Sequence, residues 1–349
     1  MTQSEFPFAE AAAIIRSTLD HSEPVVGMPM PGGASTRKFA RFQFNSAKSL
    51  VAIYVPDAHQ SDEIDKSSGK SSRWPFLEIR DLLESRGIRV PKILCEACDR
   101  GLLLVEDLGD VTLAVALERA PELREPLYQR AVQDLAHAQL ALAKLPHGCV
   151  VQTRAFDADL LRWEIDHFRE WALEARGFPL TTTELRVFDN AADWLAKTIA
   201  SWPRQFVHRD YQSRNLMVRR DASGQLSITW IDFQDALLGP RVYDLVALLG
   251  DSYQTFEPEF IERRLDEYAA VMGLDTDGRA QLRREFDLVT VQRKLKDAGR
   301  FVFIDRVKGN PNFLCFVEPT IDKVMAALTR LRDEPVLVEL ENLLRTRLR

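Results

Sequence analysis

HRDYQSRN, residues 208–215, and IDFQD, residues 231–235, are set so that Asp232 follows Asn215 by seventeen positions. Between them lie NLMVRR and LSITWID, two strand-like runs that flank the turn DASG at 221–224. A hairpin of this kind starts one strand at Asn215 and ends its partner at Asp232, so an amide oxygen and a carboxylate can converge on one point. Oxygen ligands of that type suit a hard divalent cation such as magnesium. Asp210 stands five residues before Asn215, in the turn. Its carboxylate can orient a hydroxyl there and accept its proton. His208, two residues ahead of Asp210, reads as architectural, pinning the loop through backbone groups.

The spacing H-x-D-x-x-x-x-N followed by a hydrophobic-Asp-Phe step matches the catalytic loop and metal-binding aspartate of the protein-kinase pattern. Isolated Asp and Asn residues are commonly turn formers. Here the loop, a strand, a turn, a second strand, IDFQD and the helix entry GPRVYDL follow in order. On these motifs the chain resembles the aminoglycoside phosphotransferase/choline kinase superfamily, a branch of the protein-kinase-like fold, over nearly its whole length. HRDYQSRNLM and IDFQDALLGPRVYDLVALL are further similar to bacterial anomeric sugar kinases acting on N-acetylmuramate and N-acetylglucosamine in cell-wall recycling. That finer likeness rests on Gln-Ser-Arg between Tyr211 and Asn215 and on Gln234-Asp235-Ala236.

The resemblance implies ATP and Mg2+ as cofactors, Asp210 as catalytic base, and Asn215 and Asp232 as magnesium ligands. It also implies that Asp244 is a buried acid receiving hydrogen bonds from the catalytic-loop backbone. Asp244 reads equally as a helix N-terminal acid favoured by the dipole.

The rest of the chain fits an α+β, protein-kinase-like two-lobe fold, with a small β-sheet N-lobe and a large, mainly helical C-lobe. Hydrophobic periodicity predicts a helix over 5–20, a hairpin over 39–44 and 49–55, a helix over 75–86, and strands over 92–96 and 102–106. After the sharp turn at 106–110, helical spacing recurs through 123–145, 157–176, 183–200, 257–272, 279–307 and 319–332, interrupted by one strand pair. We place the nucleotide-binding lobe at 1–108 and the catalytic and substrate lobe at 109–349.

On the nucleotide side, GGASTR at 32–37 precedes the hairpin. Gly33 permits close approach of backbone to phosphate, and the Ser35 and Thr36 hydroxyls can donate to it. Glu106 and Leu108 stand where backbone groups would bond the adenine edge. One departure from the kinase pattern is Tyr54, at the third-strand position where a phosphate-binding lysine is expected. Arg37 and Arg41, which share a side on an alternating strand, are either the substitutes or solvated cations on an exposed strand. Glu78, on the following helix, is either a brace for such a cation or a solvated helix acid.

For the acceptor, Gln212, Arg214, Gln234 and Asp235 flank the loop and the metal aspartate. Amides and carboxylates suit sugar hydroxyls, and an Arg suits a carboxylate. The alternatives are an aminoglycoside, choline or homoserine kinase, or a nucleotide-binding pseudokinase.

Composition narrows the remaining classes. The 349 residues exceed the usual single core, and a net charge of −6 gives no footprint for nucleic acid or an anionic membrane. No run approaches a membrane span, and the N-terminus lacks a secretory pattern. Four scattered cysteines fit a reducing cytoplasm. A monomer acting on a small soluble substrate is expected. GKSS at 69–72 is not a Walker loop, since Ile64 stands where its first Gly belongs. Cys95 and Cys98 lack a second ligand pair for zinc. The polar run 57–73 reads as a loop or insertion.

Overall fold

A computed structural model describes residues 6–20, 25–31, 37–45, 48–55, 74–220 and 224–348. In chain order the elements begin α1 (Phe8–Thr18), β1 (Val26–Met30), β2 (Lys38–Asn45), β3 (Lys48–Tyr54), α2 (Pro75–Ser85), β4 (Ile93–Ala97), β5 (Leu102–Glu106) and α3 (Leu113–Arg119). There follow α4 (Arg124–Ala141), α5 (Ala158–His167), α6 (Thr182–Ala200), β6 (Arg204–Val207), β7 (Leu216–Arg220), β8 (Leu226–Trp230) and β9 (Leu237–Pro240). Helices α7 (Tyr243–Leu249), α8 (Pro258–Val271), α9 (Thr276–Lys308), α10 (Val317–Arg330) and α11 (Pro335–Leu348) complete the order. The sequence reading missed β1, α3, the β6–β9 pair and α11. β1 contains Pro29, which reads as a loop but is tolerated on an edge strand, while β6 and β9 are four residues each, too short for a period to register.

The chain divides into two compact units: Met1–Pro121 with Arg214–Asp235, and Glu122–Ser213 with Ala236–Arg349. The first unit holds an antiparallel sheet in the order β1-β2-β3-β5-β4. One face, with Ala40, Phe42, Leu50, Ala52, Leu102 and Leu104, packs on Ala11, Ile14 and Ile15 of α1. The other, with Ile53, Leu103 and Val105, packs on Leu77 of α2. Pro75 opens α2 at a position where its missing N–H costs nothing, and Gly87 closes it with φ 76, a conformation glycine adopts without strain. The β7–β8 hairpin joins this unit because Val218 N–H donates to the Val111 carbonyl (2.8 Å) and Trp230 N–H to that of Arg89 (2.9 Å).

The second unit is helical, with β6 and β9 paired antiparallel. Its spine is α9, 33 residues long and buried from Glu285 through Leu295 without a break. α5, α6, α7 and α10 all pack against it. Gly299 allows the closest approach: a Cβ there would lie 2.2 Å from the His167 carbonyl oxygen. α6 opens with a capping box in which Thr181 and Glu184 each receive the other's backbone N–H.

Candidate active site

In the second unit, β6 delivers the chain into the loop that bears Asp210. His208 is fully buried, and its N–H donates to Asp244 Oδ2 at 2.7 Å; the Arg209 N–H donates to Asp244 Oδ1 at 3.0 Å. Asp244 lies in the first turn of α7 and is itself fully buried. Arg209 has φ 79, in the left-handed region that a side chain with a Cβ disfavours. That conformation turns the chain sharply just before Asp210. A carboxylate receiving two successive N–H groups compensates for such strain.

The far end of the loop is gripped in the same way. Ser213 donates both its N–H (3.1 Å) and its Oγ–H (2.5 Å) to Asp251 Oδ2. Asp244, in the first turn of α7, and Asp251, just past its end, thus hold the two ends of one loop. The end of α7 is fixed in turn by Lys323 of α10, whose ammonium donates to the carbonyls of Gly250 (3.3 Å), Asp251 and Gln254 (2.8 Å). Burial, aided by Lys294, pulls Lys323 down to about 8, although Asp251 and Asp297 oppose the shift.

Beneath the loop lies a buried polar network. Arg209 Nη2 points to Glu164 Oε1 (3.4 Å), and Glu164 Oε2 also accepts from Tyr243 Oη (3.2 Å) and Gln292 Nε2 (2.9 Å). Arg293 of α9 donates to the Arg209 carbonyl at 2.9 Å and brings Nη2 within 3.6 Å of Asp210 Oδ1. The Asp210 side chain is 37% exposed, so it faces outward from this network. Burial raises its pKa, but Arg293, Lys296, Arg209 and His208 together outweigh that and hold the carboxyl below its usual range. Burial likewise pushes Asp244 up to about 7, against the two N–H bonds and Arg293.

The first unit carries Asn215, Asp232 and Gln234. The Ile231 N–H donates to the Asn215 carbonyl (3.1 Å), closing the end of the β7–β8 hairpin and setting Asn215 beside Asp232. Asn215 Nδ2 lies 3.5 Å from Asp232 Oδ2, and Gln234 Nε2 donates to Asp232 Oδ1 at 3.0 Å. Asp232 has φ 65, the second strained residue of the site, and Phe233 behind it is fully buried and stacked on Phe76 of α2 at 4.9 Å. Two carboxylate oxygens and one amide, which can turn its oxygen to the same point, form a donor set that fits magnesium.

Arg37 is brought to this set: its Nη2 donates to Asp232 Oδ1 at 3.0 Å. Arg41 is not. Its guanidinium is held by Asp107 (2.7 Å) and Asp110 (2.7 Å) at the turn after β5, and the Asp107 carboxylate also accepts from Ser49 (2.6 Å). Tyr54 lies on the α1 face of the sheet, with its ring 6.0 Å from that of Phe6. Arg41 pairs across the strands with Val51, and Phe39 with Ile53, on the opposite face, where α2 packs. The missing third-strand cation therefore has no counterpart at Tyr54, and the arginines of β2 and its entry stand on the other side of the sheet.

Glu106 donates its N–H to the Lys92 carbonyl (2.9 Å), and its carboxylate accepts from Lys92 N–H (3.0 Å); Leu108 is half-buried. Asp235 lies 3.3 Å from Gln234 Nε2, Gln212 donates its N–H to the Asp210 carbonyl (2.9 Å), and Arg214 is exposed. Gly33, Ser35 and Thr36 lie outside the described residues, as does the run 57–73. Glu164, Asp251, Arg293 and Lys323 were not singled out in the sequence. One signal was available: Glu164 shares a helical face with Leu161, Ile165 and Phe168, an acid at a core position of an amphipathic stripe.

A two-ended loop bearing an ionised carboxylate, followed by a hairpin that pairs an amide with a second carboxylate, is the arrangement of a protein-kinase-like phosphotransferase. The chain belongs to the phosphotransferase enzyme family, whose profile matches residues 30–283. ATP use follows from that membership. The chain is 31% identical over 326 residues to the N-acetylmuramate/N-acetylglucosamine kinase of Pseudomonas aeruginosa, covering 92% of this chain and 88% of the relative. It is 31% identical over 275 residues to the enzyme of the same name from Neisseria meningitidis, covering 77% and 75%. Among solved structures it is similar to a Plasmodium vivax ethanolamine kinase, with a TM-score of 0.60 at 14% identity over 92% of this chain and 88% of that one. That likeness concerns the fold. No helix among the described residues is long and apolar enough to cross a membrane.

Proposed function

We propose that this protein is a magnesium-dependent kinase that transfers the γ-phosphoryl group of ATP to the anomeric hydroxyl of an amino sugar, N-acetylmuramate or N-acetylglucosamine, acting as a cytoplasmic monomer. The observation that carries the reading is the likeness to two kinases so named over most of the chain, with Asp210, Asn215 and Asp232 all in place.

In this reading Asp210 orients the sugar O1–H and takes its proton as O1 bonds to the γ-phosphorus and the bond from that phosphorus to the β–γ bridging oxygen breaks, leaving ADP. A carboxyl held below its usual range is ionised at neutral pH and ready for that role. Asn215 and Asp232 would hold magnesium, which supplies charge neutralisation on the phosphates. Arg37, bonded to Asp232, adds a fixed cation on the nucleotide side. Glu106 and Leu108 offer backbone groups to adenine. Gly33, Ser35 and Thr36 belong to the phosphate-binding segment, while Arg41 closes the turn after β5 through Asp107 and Asp110. Gln212, Arg214, Gln234 and Asp235 would meet the acceptor, with amides and carboxylate on sugar hydroxyls and the guanidinium on a lactyl carboxylate.

The test is ADP release with ATP and magnesium over a panel of N-acetylmuramate, N-acetylglucosamine, kanamycin, choline and homoserine. Turnover confined to the two sugars, with product sensitive to mild acid as an anomeric phosphate is, is the expected result. Turnover with a non-sugar alone overturns the sugar reading, and nucleotide binding without any turnover points to a pseudokinase.

A further inference from the structure

We propose that Arg293 is a positioning residue for phosphoryl transfer, a role that rests on the reading of Asp210 as the base. Three contacts define it. Nη1 donates to the Arg209 carbonyl at 2.9 Å, Nη2 stands 3.6 Å from Asp210 Oδ1, and the guanidinium lies 4.6 Å over the Tyr243 ring. The side chain is 3% exposed.

The left-handed Arg209 makes these contacts consequential. Its peptide groups are held from both sides: Asp244 takes the N–H groups of His208 and Arg209, and Arg293 takes the carbonyl of Arg209. The strained turn that aims Asp210 is therefore fixed by a buried acid from α7 and a buried base from α9. A guanidinium is a planar fork with rigid donor directions, so one arm on the carbonyl fixes where the other arm points. That second arm faces the Asp210 carboxylate and favours one of its orientations. At 3.6 Å the contact is an ion pair longer than a hydrogen bond. Arg293 thus biases the carboxylate without taking its oxygen as a hydrogen-bond acceptor. The stack on Tyr243 and Nε, 3.9 Å from Asp297 Oδ2, hold the fork in its plane.

Asp210 is also faced by Lys296 from α9 and by His208 and Arg209 from its own loop, with Asp244 of α7 as the opposing acid. Arg293 contacts both the backbone and the carboxylate directly. Losing it should disorient the base and raise its pKa together.

The experiment compares wild type, Arg293→Met, Arg293→Lys and Asp210→Asn in the full chain. It measures kcat, KM for ATP and for N-acetylglucosamine, the acid limb of kcat/KM, ADP affinity and thermal midpoint. Arg293→Met is expected to lower kcat about 100-fold with both KM values within about threefold, and to move the acid limb up by about one pH unit. Arg293→Lys, which keeps the charge but not the fork, should restore the acid limb and only part of kcat. Wild-type kcat in Arg293→Met, or a loss matched by lost ADP affinity with an unmoved limb, overturns the proposal. If Arg293→Met does not fold, Arg293→Lys decides: a kcat at least about tenfold down with the limb in place supports the role, and wild-type kcat refutes it. Wild-type turnover in Asp210→Asn would remove the base reading itself. An inactive Asp210→Asn beside a fully active Arg293→Met would remove only the role of Arg293.

Discussion

Arg37 and Asp232, 195 positions apart in the chain, meet at 3.0 Å, joining the entry of the second strand to the carboxylate at the end of the β7–β8 hairpin. The pair connects the only two parts of the first unit that the sequence reading assigned to phosphate and to metal. Removing it by Arg37→Ala should raise KM for ATP about tenfold, with a smaller change in kcat. Steady-state ADP release at varied ATP measures this, and an unchanged KM would show that Arg37 serves Asp232 alone.

Arg41→Ala should behave differently. Its guanidinium closes the turn after β5 through Asp107 and Asp110, and Asp107 is held below its usual carboxyl range by Ser49, the Gly109 N–H and Arg41, despite burial. The expected outcome is a loss of about 1–2 kcal/mol of stability, read by urea denaturation. A tenfold rise in KM for ATP with stability intact would assign Arg41 to phosphate instead.

Asp210→Asn keeps the shape of the loop and removes the proton acceptor. Turnover should fall by a factor of about 10²–10⁴ while ADP binds with unaltered affinity. Calorimetric titration alongside the kinetic assay separates loss of chemistry from loss of binding.

Removing divalent metal should abolish turnover, and added magnesium should restore it. Asn215→Leu should raise the magnesium concentration needed for half-maximal rate, because one of its oxygen donors is gone. A half-maximal concentration that does not move in Asn215→Leu would exclude that side chain from the metal.

Lys323 gives a pH dependence whose sign is fixed. Its folded pKa of about 8 lies below the unfolded value of 10.5, so the unfolded chain binds more protons between these limits. The cost of burying the charge is present in full below pH 8 and is relieved as pH rises towards 10.5. Relative to Lys323→Met, the wild type should gain about 3 kcal/mol across that window. Urea denaturation of both proteins at pH 7.5, 9 and 10.5 reads the difference; a difference that stays flat or shrinks contradicts it.

Much of the candidate site was legible because it is local. Asp210, Asn215 and Asp232 fall within one run of chain, and a hairpin between the latter two follows from strand-like runs flanking DASG. The support beneath it was not legible. Glu164 meets Arg209 across 45 positions, Asp251 meets Ser213 across 38 and Arg293 meets the loop across 84. Glu164 and Arg293 come from helical segments dense in charge, where a buried ion and a solvated one look alike until packing is known, and Asp251 comes from the turn after α7. Helix positions were read well from their period. α9 extended to Lys308 at Gly309, which adopts φ 66 at its end, and the segment 157–176 changed from α-helix to a π turn at Phe168–Leu173, a change that no periodicity records.

The hairpin that carries Asn215 and Asp232 is an excursion: the chain leaves the helical unit after Ser213 and returns to it at Ala236. A single cut can therefore never separate the two halves of this enzyme. Exchanging the helical unit with that of a relative needs three junctions, at 121/122, 213/214 and 235/236. Asp210 travels with the graft while Asn215 and Asp232 stay behind. Of the residues proposed to meet the acceptor, Gln212 would move with the graft and Arg214, Gln234 and Asp235 would not, so such a hybrid would read how much of acceptor choice lies in the helical unit.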